Sequence, residues 1–229
     1  MKEAETVMKE SVASFLSNVL SVVLGIVITF SIQGMIDRSR DRKEVRSALQ
    51  LVRTELQANV DDISVMCDYL WQEKASAEYI LQHRMEIDSC PSDSISYHSG
   101  IIFAEASISV SQDALELLKN SSLFQKIGSN DLSMKIIRAY DSCGTIVAAL
   151  NSHLDTRNSQ FEGSVNEETA GKFASTGGID IRDFIKTDYG LYVIRRLASL
   201  YGIESISDTS DITDALDAID SFLGKRFSL

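Results

Sequence analysis

Few residues of this chain have the types and spacings that catalysis or metal binding requires, and each such set fails on geometry. Cys67, His83, Cys90 and His98 are zinc-compatible donors, yet zinc ligands come in pairs two to five residues apart and the gaps here are sixteen, seven and eight. Asp208, Asp211, Asp214, Asp217 and Asp220 recur every three residues, a spacing that rotates around a helix and cannot converge on one calcium ion. His153 and Asp155 stand near serines, but no G-x-S-x-G turn exposes a nucleophile. Gly171-Lys172 is followed by Phe173 and lacks the earlier glycine of a phosphate loop, and no G-x-G-x-x-G occurs. The sequence therefore points to no enzyme, no metal and no cofactor.

A different chemistry is written in SVASFLSNVLSVVLGIVITFSIQGMI, Ser11 to Ile36, which carries no charged side chain. As a helix it reaches about 39 Å, more than the roughly 30 Å of bilayer hydrocarbon, so a transmembrane helix is expected. The balanced start MKEAETVMKE and the arginines that follow the run argue against a signal peptide. Ser17, Ser21, Gly25, Thr29 and Gln33 recur every four residues, with Asn18 beside them. Small and polar groups in such a stripe let helix backbones approach and bond across the contact. Three readings are open: a self-association face, the lining of a pore made by several copies, or serines and threonines that bond back to their own helix.

Directly after the run stand Arg38, Arg40, Arg42, Lys43 and Arg46. Five cations after the span against Lys2 and Lys9 before it place the body on the cytoplasmic side of an inner membrane, and the same cluster attracts anionic headgroups. The chain carries net charge −11, and residues 47–229 alone hold fifteen Lys/Arg against twenty-seven Asp/Glu. Such a body repels phosphate backbones, which excludes nucleic acid as a partner. Three sparse cysteines suit a reducing compartment.

The elements that must carry these groups are helical. Val45, Leu49, Val52, Leu56, Val60 and Ile63, continued by Cys67 and Leu70, step by three and four, which predicts one helix from the span to about His83 with an interruption near Glu73–Ala77. This seam packs either on later helices of the chain or on a second copy as a coiled coil. Ile87 to Gly100, with the only proline, reads as a loop, and IIFAEASISVS as a short strand without an evident partner. Ser109 with Gln112 and Ser122 with Gln125 have capping-box spacing. Ile136, Tyr140, Cys143, Val147, Leu150 and Leu154 predict a second long helix, Asn158 to Gly178 a long connection, Ile181 to Tyr201 a third helix, and residues after Ser210 a last one.

With VVLGIVITFSIQ (Val22–Gln33), DRKEVRSALQLVRTEL (Asp41–Leu56) and ALELLKNSSLFQKI (Ala114–Ile127) in view, the layout resembles a loosely defined family of uncharacterised bacterial single-pass membrane proteins. Its members carry a tryptophan soon after the span, where this chain has GMIDRSR. The resemblance implies an N-terminal anchor with a charged helical stalk and assigns no activity.

The expected fold is all-α. It comprises a short segment 1–10, a transmembrane helix 11–36, a stalk helix 37–83 and a bundle 84–229 built with the distal stalk. The expected function is a membrane-anchored, self-associating interaction or effector protein. The alternatives are an oligomeric pore lined by the stripe, and a sensor whose long loops bind a ligand or partner protein.

Overall fold

The computed structural model describes residues 2–162, 179–199 and 208–227; ahead of Met35, side chains are described only at Val23, Leu24, Val27, Thr29 and Gln33. Among the described residues the chain is all-helical, with no strand. Helix α1 (Lys2–His83) runs without interruption, so the expected break near Glu73–Ala77 is absent. Glu73, Ser76 and Ala77 are all buried while Gln72, Ala75 and Glu78 are exposed, and packing along that one face holds the stretch helical. Among the described residues, no helix is long and apolar enough to cross a membrane.

The other described helices are arranged along α1 or on the helices that pack against it. A 3-10 helix (Arg84–Ser89) leads into α2 (Ser92–Ile102), followed by α3 (Asp113–Asn120), α4 (Leu123–Ile127) and the long α5 (Asn130–Glu162). Then come α6 (Ile181–Phe184), α7 (Asp188–Ala198) and α8 (Ser210–Phe227). Helix α8 lies along α5, and both pack on α1 together with α3 and α4; α2 and α7 pack on α1 further along.

Two apolar cores result among the described residues. The proximal one gathers Val45, Leu49, Val52, Leu56 and Ile63 of α1, with Val60 at its margin, against Leu115, Leu118, Ile127, Ile136, Leu150 and Ile219. The seam is thus enclosed by the chain's own helices. The distal core gathers Ala77 and Ile80 with Ile87, Ile95, Ile102, Phe184, Val193 and Ile194.

The proline-bearing stretch is a helix, not a loop. Pro91 sits at the entrance of α2, where its fixed φ and missing N–H cost nothing, and its carbonyl accepts from Ile95 N at 3.1 Å. Burial of Ile95 and Ile102 in the distal core outweighs the turn-forming serines between them. The expected third helix is also interrupted. Thr187 caps α7 by accepting from Gly190 N at 2.9 Å, and a Cβ on Gly190 would lie 1.9 Å from the Phe184 carbonyl oxygen, so only glycine permits this corner. Asn158–Glu162 belongs to α5, and the rest of the expected connection to Gly178 lies outside the described residues.

The strand-like segment has an unusual partner. Between α2 and α3, Ala106, Ile108 and Val110 face the proximal core, while Glu105, Ser107 and Ser109 are exposed, a period of two. Asn59 of α1 donates to Ser111 O at 2.9 Å and accepts from Ser111 N at 3.1 Å. Asn151 of α5 repeats the pattern on Ile108, donating at 2.8 Å and accepting at 3.2 Å. Two side-chain amides therefore supply the paired bonds that a neighbouring strand would give. Replacing Asn151 by alanine leaves both main-chain groups of buried Ile108 unpaired and is expected to cost about 2 kcal/mol, whereas Ser152→Ala on the exposed face stays within about 0.5 kcal/mol. Denaturation midpoints of the two variants check this; equal midpoints would refute it.

Candidate functional site

The densest polar chemistry lies between the two cores. Glu73 of α1 and Arg157 of α5 are 0 % and 2 % exposed, and Arg157 Nη1 reaches Glu73 Oε1 at 2.6 Å. The guanidinium also donates to Tyr69 Oη at 2.7 Å, to the Ala104 carbonyl at 2.6 Å, and twice to Asn158 Oδ1, from Nη2 at 2.9 Å and Nε at 3.2 Å. Those five bonds use all five guanidinium N–H groups. Tyr69 Oη in turn lies 3.1 Å from the carbonyls of Ile101 and Ala104, with one proton to share between them. The end of α2 is held by this cluster.

Burial raises the Glu73 carboxyl above the ordinary glutamate range, with Arg157 pulling in the opposite direction. Oε2 of Glu73 is buried without a hydrogen-bond partner among the described residues, which fits a carboxylate poorly solvated by its site. Arg157 loses hydration on burial, but Glu73 and Tyr69 more than offset that and hold it charged.

A second cluster forms where α3 begins. Burial acts on Glu55 to raise its pKa, but bonds from Ser111 Oγ (2.6 Å), Tyr140 Oη (2.5 Å) and Ala114 N (3.1 Å) prevail and lower it. Glu55 thereby caps α3 from another helix, in place of the expected pairing of Ser109 with Gln112, because a carboxylate at a helix N-terminus meets both free N–H groups and the macrodipole. Ser122 does precede α4, without a side-chain cap bond; Ser121 Oγ accepts from Leu123 N at 3.4 Å instead.

The residues singled out in the sequence are dispersed. Cys67 and Cys143 are buried in the proximal core, and burial pushes the Cys143 thiol up to about 11, where it is inert at neutral pH. His98 belongs to the distal region, stacked on Tyr79 at 4.0 Å and bonded to Ser76 Oγ at 3.1 Å, while His83 contacts the other side of Tyr79. Among the described residues no three His, Cys, Asp or Glu side chains are placed to hold a metal ion. The aspartate series is divided among structural tasks: Asp208 accepts from Ser210 N, Asp211 from Ser142 Oγ, and Asp220 pairs with Arg53 at 2.6 Å. His153 faces a cavity of about 180 Å³ beside Arg157 and Arg196, and burial and those two charges lower its pKa, so it stays neutral. Thr156 and Ser199 share that lining, but Thr156 Oγ1 donates to the Ser152 carbonyl at 2.8 Å, and His153 Nε2 is buried without a hydrogen-bond partner among the described residues.

Of the association stripe, Ser17, Asn18, Ser21 and Gly25 have side chains outside the described residues, while Thr29 and Gln33 are exposed. In the basic cluster Arg40 pairs with Glu44 at 3.5 Å, and Arg38, Arg42, Lys43 and Arg46 are exposed. Two bundle residues far away in sequence, Lys126 and Arg226, line a common cavity with Arg38 and Arg42. Glu73 and Arg157 escaped the sequence reading, although each continues an apolar seam: Glu73 follows Leu70 by three, and Arg157 follows Leu154 by three. One acid and one base on two facing seams was the available signal.

The two carboxyls give opposite pH signatures. Glu73, raised in the folded state, contributes stability that is fully present below the unfolded value of about 4.3 and is lost as pH rises through its folded value. Glu55, lowered in the folded state, contributes stability present above about 4.3 and lost as pH falls through its folded value. Relative to the parent chain, Glu73→Gln should therefore gain ground from pH 4 to pH 7 and Glu55→Gln should lose it. Thermal midpoints across that range check the pair; parallel trends would contradict the assignment.

Compared with protein-family models, with curated proteins and with solved structures, the chain matches none.

Proposed function

We propose that the chain is a membrane-anchored helical protein of the bacterial inner membrane. In this reading it self-associates through its first helix and presents the bundle to the cytoplasm as an interaction or effector body. One observation carries the proposal. The bundle buries its apolar seams and leaves only scattered apolar side chains such as Val65 and Met85 in the open, whereas Val23, Leu24, Val27, Met35 and Ile36, in or at the end of one uncharged run of α1, are all 49 to 71 % exposed. An uncharged run of this length, in a helix whose first buried residue among those described is Val45, gains most from lipid. The stripe from Ser17 to Gln33 supports contact between copies inside the bilayer, where small residues permit close approach.

Membranes bearing the chain should retain it through alkaline carbonate washing, and in mild detergent it should migrate as an oligomer that Gly25→Leu reduces to monomer. Release into the wash, or a parent chain that is monomeric throughout, overturns the respective half of the proposal. The bundle also offers a topology probe. Cys67 and Cys143 are buried and Cys90 is only half-buried, so a membrane-impermeant maleimide should report on Cys90 alone. Labelling in permeabilised but not in intact cells is expected, and it should vanish in Cys90→Ser; equal labelling of intact cells would place the body outside.

A further inference from the structure

We infer that the membrane-proximal end of the bundle holds a binding site for the phosphate of an anionic lipid headgroup, formed by Arg38 and Arg42 of α1 with Lys126 of α4 and Arg226 of α8. The four line one cavity of about 230 Å³, with Asp41 and Val45 completing its wall. They come from three helices, so the cavity exists only in the folded bundle.

Its charge is unbalanced. Asp41 is already engaged by Lys126 at 2.8 Å, and Glu44 beside it is shared between Lys126 at 3.3 Å and Arg40 at 3.5 Å. Arg38 and Arg42 pair with no acidic side chain among the described residues, and at a spacing of four they stand one turn apart on the same face and repel each other. Arg226 is held at the rim by donating to the Ile127 carbonyl and by lying over the Phe222 ring at 5.1 Å. Arginine forks presented together suit a phosphate's several acceptor oxygens. Arg38 and Arg42 thus bring to the cavity two charges that Asp41 and Glu44, already engaged, leave uncompensated.

Depth selects the source of the phosphate, and this step rests on the membrane-anchor reading. Arg38 and Arg42 follow Ile36 by two and six residues, about 3 and 9 Å along the helix, which brackets the depth of a headgroup layer roughly 5–8 Å thick. A second concavity of about 350 Å³ shares Arg38 and Arg42 and includes Met35, Lys43 and Arg46, so the cavity adjoins the last apolar turn, as a lipid with its tail beside α1 requires.

The test uses the full-length chain in a neutral maltoside detergent, with short-chain phosphatidylglycerol, short-chain phosphatidylcholine or inorganic phosphate added at matched ionic strength. Phosphatidylglycerol should raise the thermal midpoint by about 5 °C at a hundredfold excess over its Kd, and the other two additions should leave it in place. Both Arg38→Gln/Arg42→Gln and Lys126→Gln/Arg226→Gln should lose the shift, and the first, at exposed positions, should keep its lipid-free midpoint. Equal shifts with phosphatidylcholine, or a shift that survives in either double variant, overturn the site. An equal shift with inorganic phosphate overturns the lipid as its source. A chain washed from membranes by carbonate refutes the anchor reading alone, whereas a retained chain with no phosphatidylglycerol shift refutes only this inference.

Discussion

The Glu73–Arg157 pair is the constraint around which the molecule is arranged. Removing two charges from water costs several kcal/mol per ion, and mutual attraction in a buried site returns that only when geometry and further hydrogen bonds are good. Here the guanidinium spends every donor, and Glu73 keeps one oxygen unpartnered among the described residues. The pair is thus a poor source of stability and a strong source of register. Sliding α5 along α1 by one turn, about 5.4 Å, would set the guanidinium against apolar side chains such as Leu70 or Ala77 with no counter-charge. The apolar seams alone would tolerate that slide, since three-and-four spacing repeats along both helices.

The same logic extends down one side of α1. Glu55, Asn59, Tyr69, Glu73 and Ser76 fall on a single face at about 100° per residue, beside the apolar seam. Glu55, Asn59 and Tyr69 meet places where regular structure fails, namely the open N-terminus of α3, the non-helical segment from Ala104 to Gln112 and the end of α2, while Glu73 and Ser76 meet the side chains of Arg157 and His98 on other helices. Main-chain groups that leave helical pairing must find partners inside a low-dielectric body. A straight helix offers side chains at fixed intervals, and those intervals set where the connections can run.

This explains what could be read in advance. The seam from Val45 to Leu70 and the second one from Ile136 to Leu154 were legible because burial on a helix leaves a local period, and the last helix after Ser210 was legible for the same reason. Helix α2 was not, because Ile95 and Ile102 draw their stability from distal-core residues as far away as Val193 and Ile194. The corner at Thr187 was hidden because the apolar period of Ile181, Ile194 and Leu197 continues across it, while the event that breaks the helix is a contact of Gly190 with the Phe184 carbonyl. Lys126 and Arg226 were invisible as cavity neighbours of Arg38, lying 88 and 188 residues further along the chain on helices whose packing had to be known first.

The stacking of two cores on one helix has a mechanical consequence. Helix α1 is the one described element common to the exposed apolar run, the basic end and both cores, and α5 is the one other helix that reaches from the proximal core to the distal one, through Phe161. Between the cores these two helices are joined by charge rather than by interlocking methyl groups. Apolar contacts can be exchanged for similar ones at small cost, but a buried arginine cannot change partners without exposing an unpaired ion, so rotation of α1 relative to α5 is resisted at that level more than at any other. A twist or tilt imposed on α1 ahead of Val45 is therefore carried past the proximal core to the layer of Tyr69, Arg157 and the Ala104 carbonyl, where the end of α2 is held.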